Sequence, residues 1–159
     1  MEVAVWGMVM VSSIVRVMKT TIALRSSAIA VGGRDGNTGT TDGRFEVKLA
    51  RPTELAGRGD GNNPEQLFAS GYAACFLSSM QLLAAQGAAK VPANAEVMAT
   101  VAFGPRSEDG LGLEIALDIT LPGVARNEAE ALIEKAHQIC AYSNAMRNNV
   151  AIKLGLIEA

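Results

Sequence analysis

The sequence of 159 residues is poor in the side chains that most metal and nucleic-acid sites require. Its single histidine, His137, excludes most histidine-based zinc sites and any histidine-dependent triad not built on that residue. Aromatic residues make up only 4% of the chain, and the formal net charge is -2. Because nucleic-acid binding needs a basic face and usually aromatic platforms, we predict no nucleic-acid partner.

Cysteine is equally scarce, with Cys75 and Cys140 as the two examples. Two cysteines so far apart do not form the disulfide framework of a small secreted protein. We therefore predict a cytoplasmic protein, in which such a pair is either inert core or redox chemistry. Composition alone leaves both readings open.

The N-terminal apolar run is short. The run Val3–Val15 is too short to cross a bilayer, which takes about 20 residues, and Glu2 stands where a signal peptide has a basic residue. We predict that residues 1–17 are an extension without chemistry, that residues 18–159 form a single domain, and that there is no membrane partner. Weak export or membrane association, and a strand or helix added to a dimer, are the alternatives for 1–17.

The remaining pattern predicts an α+β fold with mainly antiparallel sheets. Asn63-Pro64-Glu65 is a strong helix start, and the helix is expected to run to Gln86 and stop at Gly87. It is apolar nearly all round, which indicates a long, buried central helix. A resemblance to a capping box at Asn127 predicts a second helix ending near Cys140. Strands are predicted over residues 20–31, 45–49, 96–103, 113–121 and 150–157, with a turn at 32–37 and a loop at 51–63.

The two cysteines differ in their expected surroundings. A cysteine in the middle of a helix is most often buried core, and a thiolate at Cys75 would need a nearby cation. Cys140 is expected at the C-terminal end of the second helix, where the helix dipole opposes a thiolate. If the pair is redox-active, Cys75 is therefore the better nucleophile and Cys140 the better resolving thiol.

Three charged or titratable side chains are candidates to assist Cys75 and Cys140. Arg34 is either a solvated turn residue or a cation for the thiolate, and Glu65 is either a helix-dipole partner or a site residue. Glu65 lies about 15 Å from Cys75 along the same helix, so the two are unrelated or Glu65 reaches the Cys75 of a second subunit. His137 is expected to be a packed helix residue, with a catalytic base as the second reading.

Four blocks of sequence, taken together and in order, resemble the organic hydroperoxide resistance (Ohr) branch of the OsmC-like family. The resemblance covers about residues 18–157. Ala141 departs from the family's pattern, which usually has proline after the second cysteine. The blocks are Gly32-Gly33-Arg34-Asp35-Gly36, Asn63-Pro64-Glu65-Gln66-Leu67-Phe68-Ala69, Gly71-Tyr72-Ala73-Ala74-Cys75-Phe76 and Ala136-His137-Gln138-Ile139-Cys140-Ala141-Tyr142-Ser143-Asn144-Ala145.

The resemblance implies an OsmC/Ohr-like intertwined homodimer that acts as a thiol peroxidase on organic and fatty-acid hydroperoxides. It implies Cys75 as the peroxidatic thiolate, Cys140 as the resolving cysteine, Arg34 as the group that holds thiolate and peroxide, and Glu65 as the residue that orients Arg34. It also implies no metal or haem cofactor, and a dihydrolipoyl group or lipoylated protein as the external electron donor. The alternative is a non-catalytic binder of apolar ligands, or a redox sensor, on the same fold.

Overall fold

The computed structural model describes residues 20–157, which form an α+β fold as predicted. The expectations for residues 1–17 lie outside the described residues. In chain order the elements are β1 (Ala28–Val31), β2 (Asn37–Thr40), β3 (Glu46–Lys48), α1 (Pro64–Ala85), β4 (Glu96–Pro105), β5 (Leu111–Thr120), α2 (Arg126–Ile139), α3 (Ala141–Met146) and β6 (Ile152–Ile157). Short 3-10 turns stand at Gly33–Asp35 and Thr53–Leu55.

The strands form two separate three-stranded sheets. The first has the order β1-β2-β3, with both pairs antiparallel. The second has the order β4-β5-β6, in which β4 and β5 are an antiparallel hairpin and β5 and β6 are parallel. The parallel pair follows from the connection, because α2 and α3 carry the chain back across the sheet between β5 and β6. Mainly antiparallel sheets are thus confirmed.

The core lies between the second sheet and helices α1 and α2. The period-two pattern of β5 predicts its buried face correctly, since Ile115, Leu117 and Ile119 are at most 2% exposed. From α1, Tyr72, Phe76 and Met80 pack into the same cluster at 0% exposure.

Helix α1 begins and ends where the sequence predicts. The Asn63 side chain accepts a hydrogen bond from the Gln66 backbone N–H at 2.8 Å, and the Gln66 side chain accepts one from the Asn63 N–H at 3.0 Å. Gly87, just past its end, has a φ of 93°, which favours glycine. By length and composition alone α1 could cross a membrane, but core helices of soluble proteins pass the same test. Within one chain it buries a single face, and Ala74, Ser78 and Leu82 are exposed.

Four local predictions were wrong in detail. The first strand forms only over Ala28–Val31, and β2 was not predicted because its Asn-Thr-Gly-Thr sequence is typical of a turn. The capping box at Asn127 does not form, since Ala125 is the N-cap of α2 and makes no side-chain cap. Helix α3 was missed, because its six residues are too few for a hydrophobic period to show.

The first sheet contributes nothing to the core of the described chain. None of the residues in β1, β2 or β3 is buried. Ile29 and Val31, which share one face of β1, are 62% and 64% exposed. A sheet of this kind gains stability only when something covers its apolar face.

Candidate active site

The central feature of the site is a pair of free thiols. Cys75 lies on α1 and Cys140 at the junction of α2 and α3, yet their sulfur atoms are 3.4 Å apart. Cys140 is fully buried, whereas Cys75 is partly exposed. The fold therefore joins two cysteines that are 65 positions apart in the sequence. A disulfide, whose sulfur atoms lie about 2.05 Å apart, could form with a closing movement of little more than an ångström.

Contacts between α1 and α3 hold the thiols in register. A Cβ added at Gly71 would lie 3.2 Å from the Tyr142 hydroxyl, so the absence of a side chain there lets Tyr142 rest against α1. The rings of Phe68, Tyr72 and Tyr142 pack together with centroids 5.7–6.0 Å apart. The hydroxyls of Tyr72 and Ser143 are hydrogen-bonded at 2.8 Å, and both residues are fully buried.

These contacting residues were not assigned roles from the sequence. Tyr72, Tyr142 and Ser143 stand in the blocks that carry the family resemblance, which was the available signal. Their role in packing α3 against α1 depends on the tertiary structure, because Tyr72 and Ser143 are 71 positions apart in the sequence.

The electrostatics of the thiols differ from the sequence-based argument. Burial raises the pKa of the Cys75 thiol, and the backbone N–H of Tyr142 opposes this. Burial also acts to raise the pKa of Cys140, but the backbone N–H of Ser143 and the neighbouring Cys75 thiol outweigh it, so that pKa is lowered. The two groups share one site, and the negative charge of the pair is stabilised by the N–H groups at the start of α3.

The helix-dipole argument for Cys140 was therefore wrong in its structural premise. Cys140 follows the last residue of α2, as predicted, but it is also the residue that precedes α3. The N–H groups of α3 stabilise negative charge there, which the end of α2 alone would oppose. The prediction that Cys75 is the nucleophile now depends on its greater exposure and on a cation from outside this pair.

Arg34 and Glu65 form a two-pronged ion pair. The two terminal nitrogens of the Arg34 guanidinium donate to the two carboxylate oxygens of Glu65 at 2.8 and 2.5 Å. This hydrogen bonding lowers the pKa of Glu65, so the carboxylate is ionised at neutral pH. The guanidinium also lies over the ring of Phe103, 4.5 Å from its centroid. The family resemblance implies that Glu65 orients Arg34, and the structure places the two side chains in direct contact.

Within one chain, however, the ion pair and the thiols are separate. Glu65 and Cys75 lie ten residues apart on α1, which corresponds to about 15 Å along the axis. Among residues 20–157, Arg34 makes no hydrogen bond or ion pair with either cysteine. Each chain thus carries two separate groups of side chains, a thiol pair and a guanidinium–carboxylate pair.

A pocket of about 600 Å³ opens beside Glu65. Its wall includes Leu55, Met98, Val101 and Phe103, so it is largely apolar. Phe103 also lies under the Arg34 guanidinium, and the charged residues that line the pocket itself are Glu54 and Glu65.

Among the described residues, the His137 side chain makes no hydrogen bond with Cys75, Cys140, Arg34 or Glu65. Its ring nitrogen Nδ1 is buried and has no hydrogen-bond partner among the described residues, and its backbone carbonyl accepts from Arg147 at 3.0 Å. It fits the expectation of a packed helix residue. No group of histidine, cysteine, aspartate or glutamate side chains within residues 20–157 is arranged to hold a metal ion.

Fold and site together define a class: an α+β protein with a paired-thiol centre and an arginine–glutamate pair. Residues 57–155 match the family model described as OsmC-like protein. The organic hydroperoxide resistance protein of Xanthomonas axonopodis pv. citri is 45% identical over 130 residues, which cover 81% of this chain and 91% of that protein.

Two solved structures extend the comparison. The organic hydroperoxide resistance protein OsmC from Legionella pneumophila has a TM-score of 0.81 at 43% identity, covering 86% of this chain and 98% of that one. OhrB of Bacillus subtilis has a TM-score of 0.77 at 33% identity, covering 84% and 98%. The chain belongs to the OsmC-like family and stands among its organic hydroperoxide resistance members.

Proposed function

We propose that this protein reduces organic hydroperoxides, including fatty-acid hydroperoxides, to alcohols by thiol chemistry. The observation that carries the proposal is the 3.4 Å separation of the Cys75 and Cys140 sulfur atoms, both free. Family membership supports the substrate class, since the relatives are named for resistance to organic hydroperoxides.

The proposed reaction has two steps. The Cys75 thiolate attacks the terminal oxygen of ROOH, the O–O bond breaks, and the alkoxide takes up a proton and leaves as ROH. Cys75 becomes a sulfenic acid. The Cys140 thiol then attacks the sulfenic sulfur, forming a disulfide and releasing water. One hydroperoxide is reduced by two electrons, and two thiols are oxidised to one disulfide.

Arg34 supplies the positive charge that this chemistry needs. Its guanidinium stays protonated at any working pH and presents several donors, so it can hold both the thiolate and the peroxide oxygen. Glu65 fixes its orientation through the two-pronged contact. The apolar pocket beside Glu65 suits the organic group of the hydroperoxide, whose burial there is favourable.

The complete site is assembled between two copies of the chain. A homodimer with two-fold symmetry would place the Arg34–Glu65 pair of one subunit beside the thiols of the other, twice over. Three features support this: the unburied first sheet, the exposed Ala74, Ser78 and Leu82 on α1, and the exposed Ile139 and Tyr142 next to Cys140. Sedimentation that finds a fully active monomer would contradict the assignment.

The catalytic cycle closes when an external dithiol reduces the disulfide by exchange. We propose a dihydrolipoyl group, free or on a lipoylated protein, as this donor. The protein would act in the cytoplasm, where such dithiols are kept reduced, and would need no bound metal or organic cofactor.

A turnover assay tests the function. Cumene or tert-butyl hydroperoxide is supplied with dihydrolipoamide, and loss of hydroperoxide is compared for the wild-type protein and Cys75→Ser. Catalytic turnover that disappears in Cys75→Ser supports the enzyme. Oxidation that stops after one equivalent, with no turnover by any dithiol, would favour the redox-sensor alternative. A larger kcat/KM for H₂O₂ than for the organic substrates would refute the substrate class.

A further inference from the structure

The turn that carries Arg34 is weakly held by its own backbone. Gly32 and Gly33 have φ angles of 77° and 57°, so the turn follows two flexible residues in the left-handed region. Its two internal hydrogen bonds, from Asp35 N–H to Gly32 and from Gly36 N–H to Gly33, are 3.3 and 3.4 Å long. Bonds of that length lie beyond the usual range, so contacts outside the turn must hold it. The Leu49 N–H holds its end by donating to the Gly36 carbonyl at 2.8 Å, and Asp35 holds its middle.

The Asp35 carboxylate provides this support by binding Arg51 through two contacts. One oxygen accepts from the Arg51 backbone N–H at 3.2 Å, and the other accepts from its Nε at 2.7 Å. Because one contact is to the main chain, the Asp35 carboxylate connects the turn to the backbone of Arg51 and not merely to its mobile side chain.

Arg51 is itself well anchored, so it can serve as a fixed point. Its carbonyl accepts a hydrogen bond from the Gly59 N–H at 3.0 Å. A Cβ added at Gly57 would lie 2.0 Å from that carbonyl oxygen, which shows how closely the loop wraps around Arg51. The same loop contributes Pro52 and Leu55 to the wall of the pocket beside Glu65.

We propose that Asp35 is a positioning residue for the peroxidase reaction, and that its clamp on Arg51 sets where the Arg34 guanidinium stands relative to Glu65 and the pocket. The inference rests on the proposed function of Arg34. The Asp35 carboxylate binds Arg51 and not Arg34 or Glu65, so it acts through the backbone of the turn. An error of about 1 Å in a catalytic group can cost roughly a hundredfold in rate, so the clamp has a measurable effect on chemistry.

The variant Asp35→Ala tests the clamp, and Asp60→Ala is its matched control. Asp60 is an exposed aspartate in the same loop as Arg51, and it pairs with Lys48 at 2.6 Å and with Arg58 at 3.3 Å but not with a residue of the Arg34 turn. We expect Asp35→Ala to lower the rate constant for oxidation of Cys75 by an organic hydroperoxide by about tenfold to a hundredfold. Asp60→Ala should stay within about twofold of wild type, and both should unfold at similar temperatures.

Two further readouts separate positioning from general loosening. In Asp35→Ala, the pH at which Cys75 reactivity is half-maximal should rise, because Arg34 is held less well against the thiolate, and Asp35→Glu should recover part of the rate. A rate and pH profile equal to wild type in Asp35→Ala, or an equal loss in Asp60→Ala, would overturn the proposal.

Amide hydrogen exchange keeps this test distinct from the test of function. We expect faster exchange at the Arg51 amide and across residues 33–36 in Asp35→Ala. If wild-type protein does not react with hydroperoxide, the proposed function fails. Exchange in the turn still decides the clamp, and unchanged exchange there overturns it.

Discussion

The buried hydrogen bond between Tyr72 and Ser143 connects α1 to α3 beside the thiols, and its removal has a calculable cost. Both residues have 0% exposure, and their oxygens are 2.8 Å apart. Tyr72→Phe deletes one hydroxyl at almost constant volume and leaves the Ser143 hydroxyl buried without this partner. Such a change costs about 1–3 kcal/mol. At about 2–4 °C per kcal/mol for a chain of this size, Tm should fall by about 2–12 °C.

A double-mutant cycle isolates the bond. Ser143→Ala should be destabilised by a similar amount, and the double variant by less than the sum, because neither hydroxyl is then left unpaired. Urea unfolding at fixed protein concentration measures all four proteins. Ser107→Ala is the control, because its hydroxyl is exposed in the loop between β4 and β5, and it should change stability by about 0.5 kcal/mol or less. Strictly additive single effects would refute the reasoning.

The Tyr72 hydroxyl also makes the free energy of unfolding depend on pH. Burial raises the pKa of Tyr72 above its ordinary value, against the opposing hydrogen bond with Ser143. The folded protein thus holds this proton more tightly than the unfolded chain, whose phenol titrates near pH ~10. The resulting stability is fully present below that pH and is lost as pH rises toward the folded pKa. The stability difference between wild type and Tyr72→Phe should therefore shrink above about pH 10.

Three further predictions concern the thiols and their cation. Cys140→Ser should react once with an organic hydroperoxide and give a dimedone adduct on Cys75, because no partner thiol captures the sulfenic acid. An adduct on Cys140 in the Cys75→Ser protein, together with none on Cys75 in the Cys140→Ser protein, would reverse the roles. Arg34→Ala should lower the rate of reaction with peroxide by orders of magnitude and change Tm little, and Lys48→Ala is its control. An unchanged rate together with an unchanged pKa of Cys75 would count against the role of Arg34. Ala141→Pro should raise the pKa of Cys75, since the Ala141 N–H is one of the groups that lower it, and a titration by alkylation rate measures this. The fold should be kept, because Ala141 begins α3 and Cys140, at φ -59° and ψ 125°, suits the residue before a proline.

Several features of the protein could be predicted from the sequence because they depend on neighbours along the chain. The cap at Asn63, the proline after it and Gly87 define α1 through contacts within a few residues. The alternating Leu and Ile residues of β5 indicate which face of the strand is buried, since the side-chain period of a strand is two. The family and both cysteines were recognisable because the four sequence blocks occur in a fixed order.

What only the tertiary structure decided is how distant segments meet. The 3.4 Å approach of the two sulfurs depends on α1 packing against α2 and α3, and no local pattern encodes that distance. Helix α3 reverses the expected effect of the helix dipole on Cys140, because that effect depends on which backbone N–H groups point at the sulfur atom. The Arg34–Glu65 pair within one chain, 31 positions apart, likewise follows from the fold, and so does its separation from the two thiols, because the pair lies near the start of α1 and Cys75 lies near its middle.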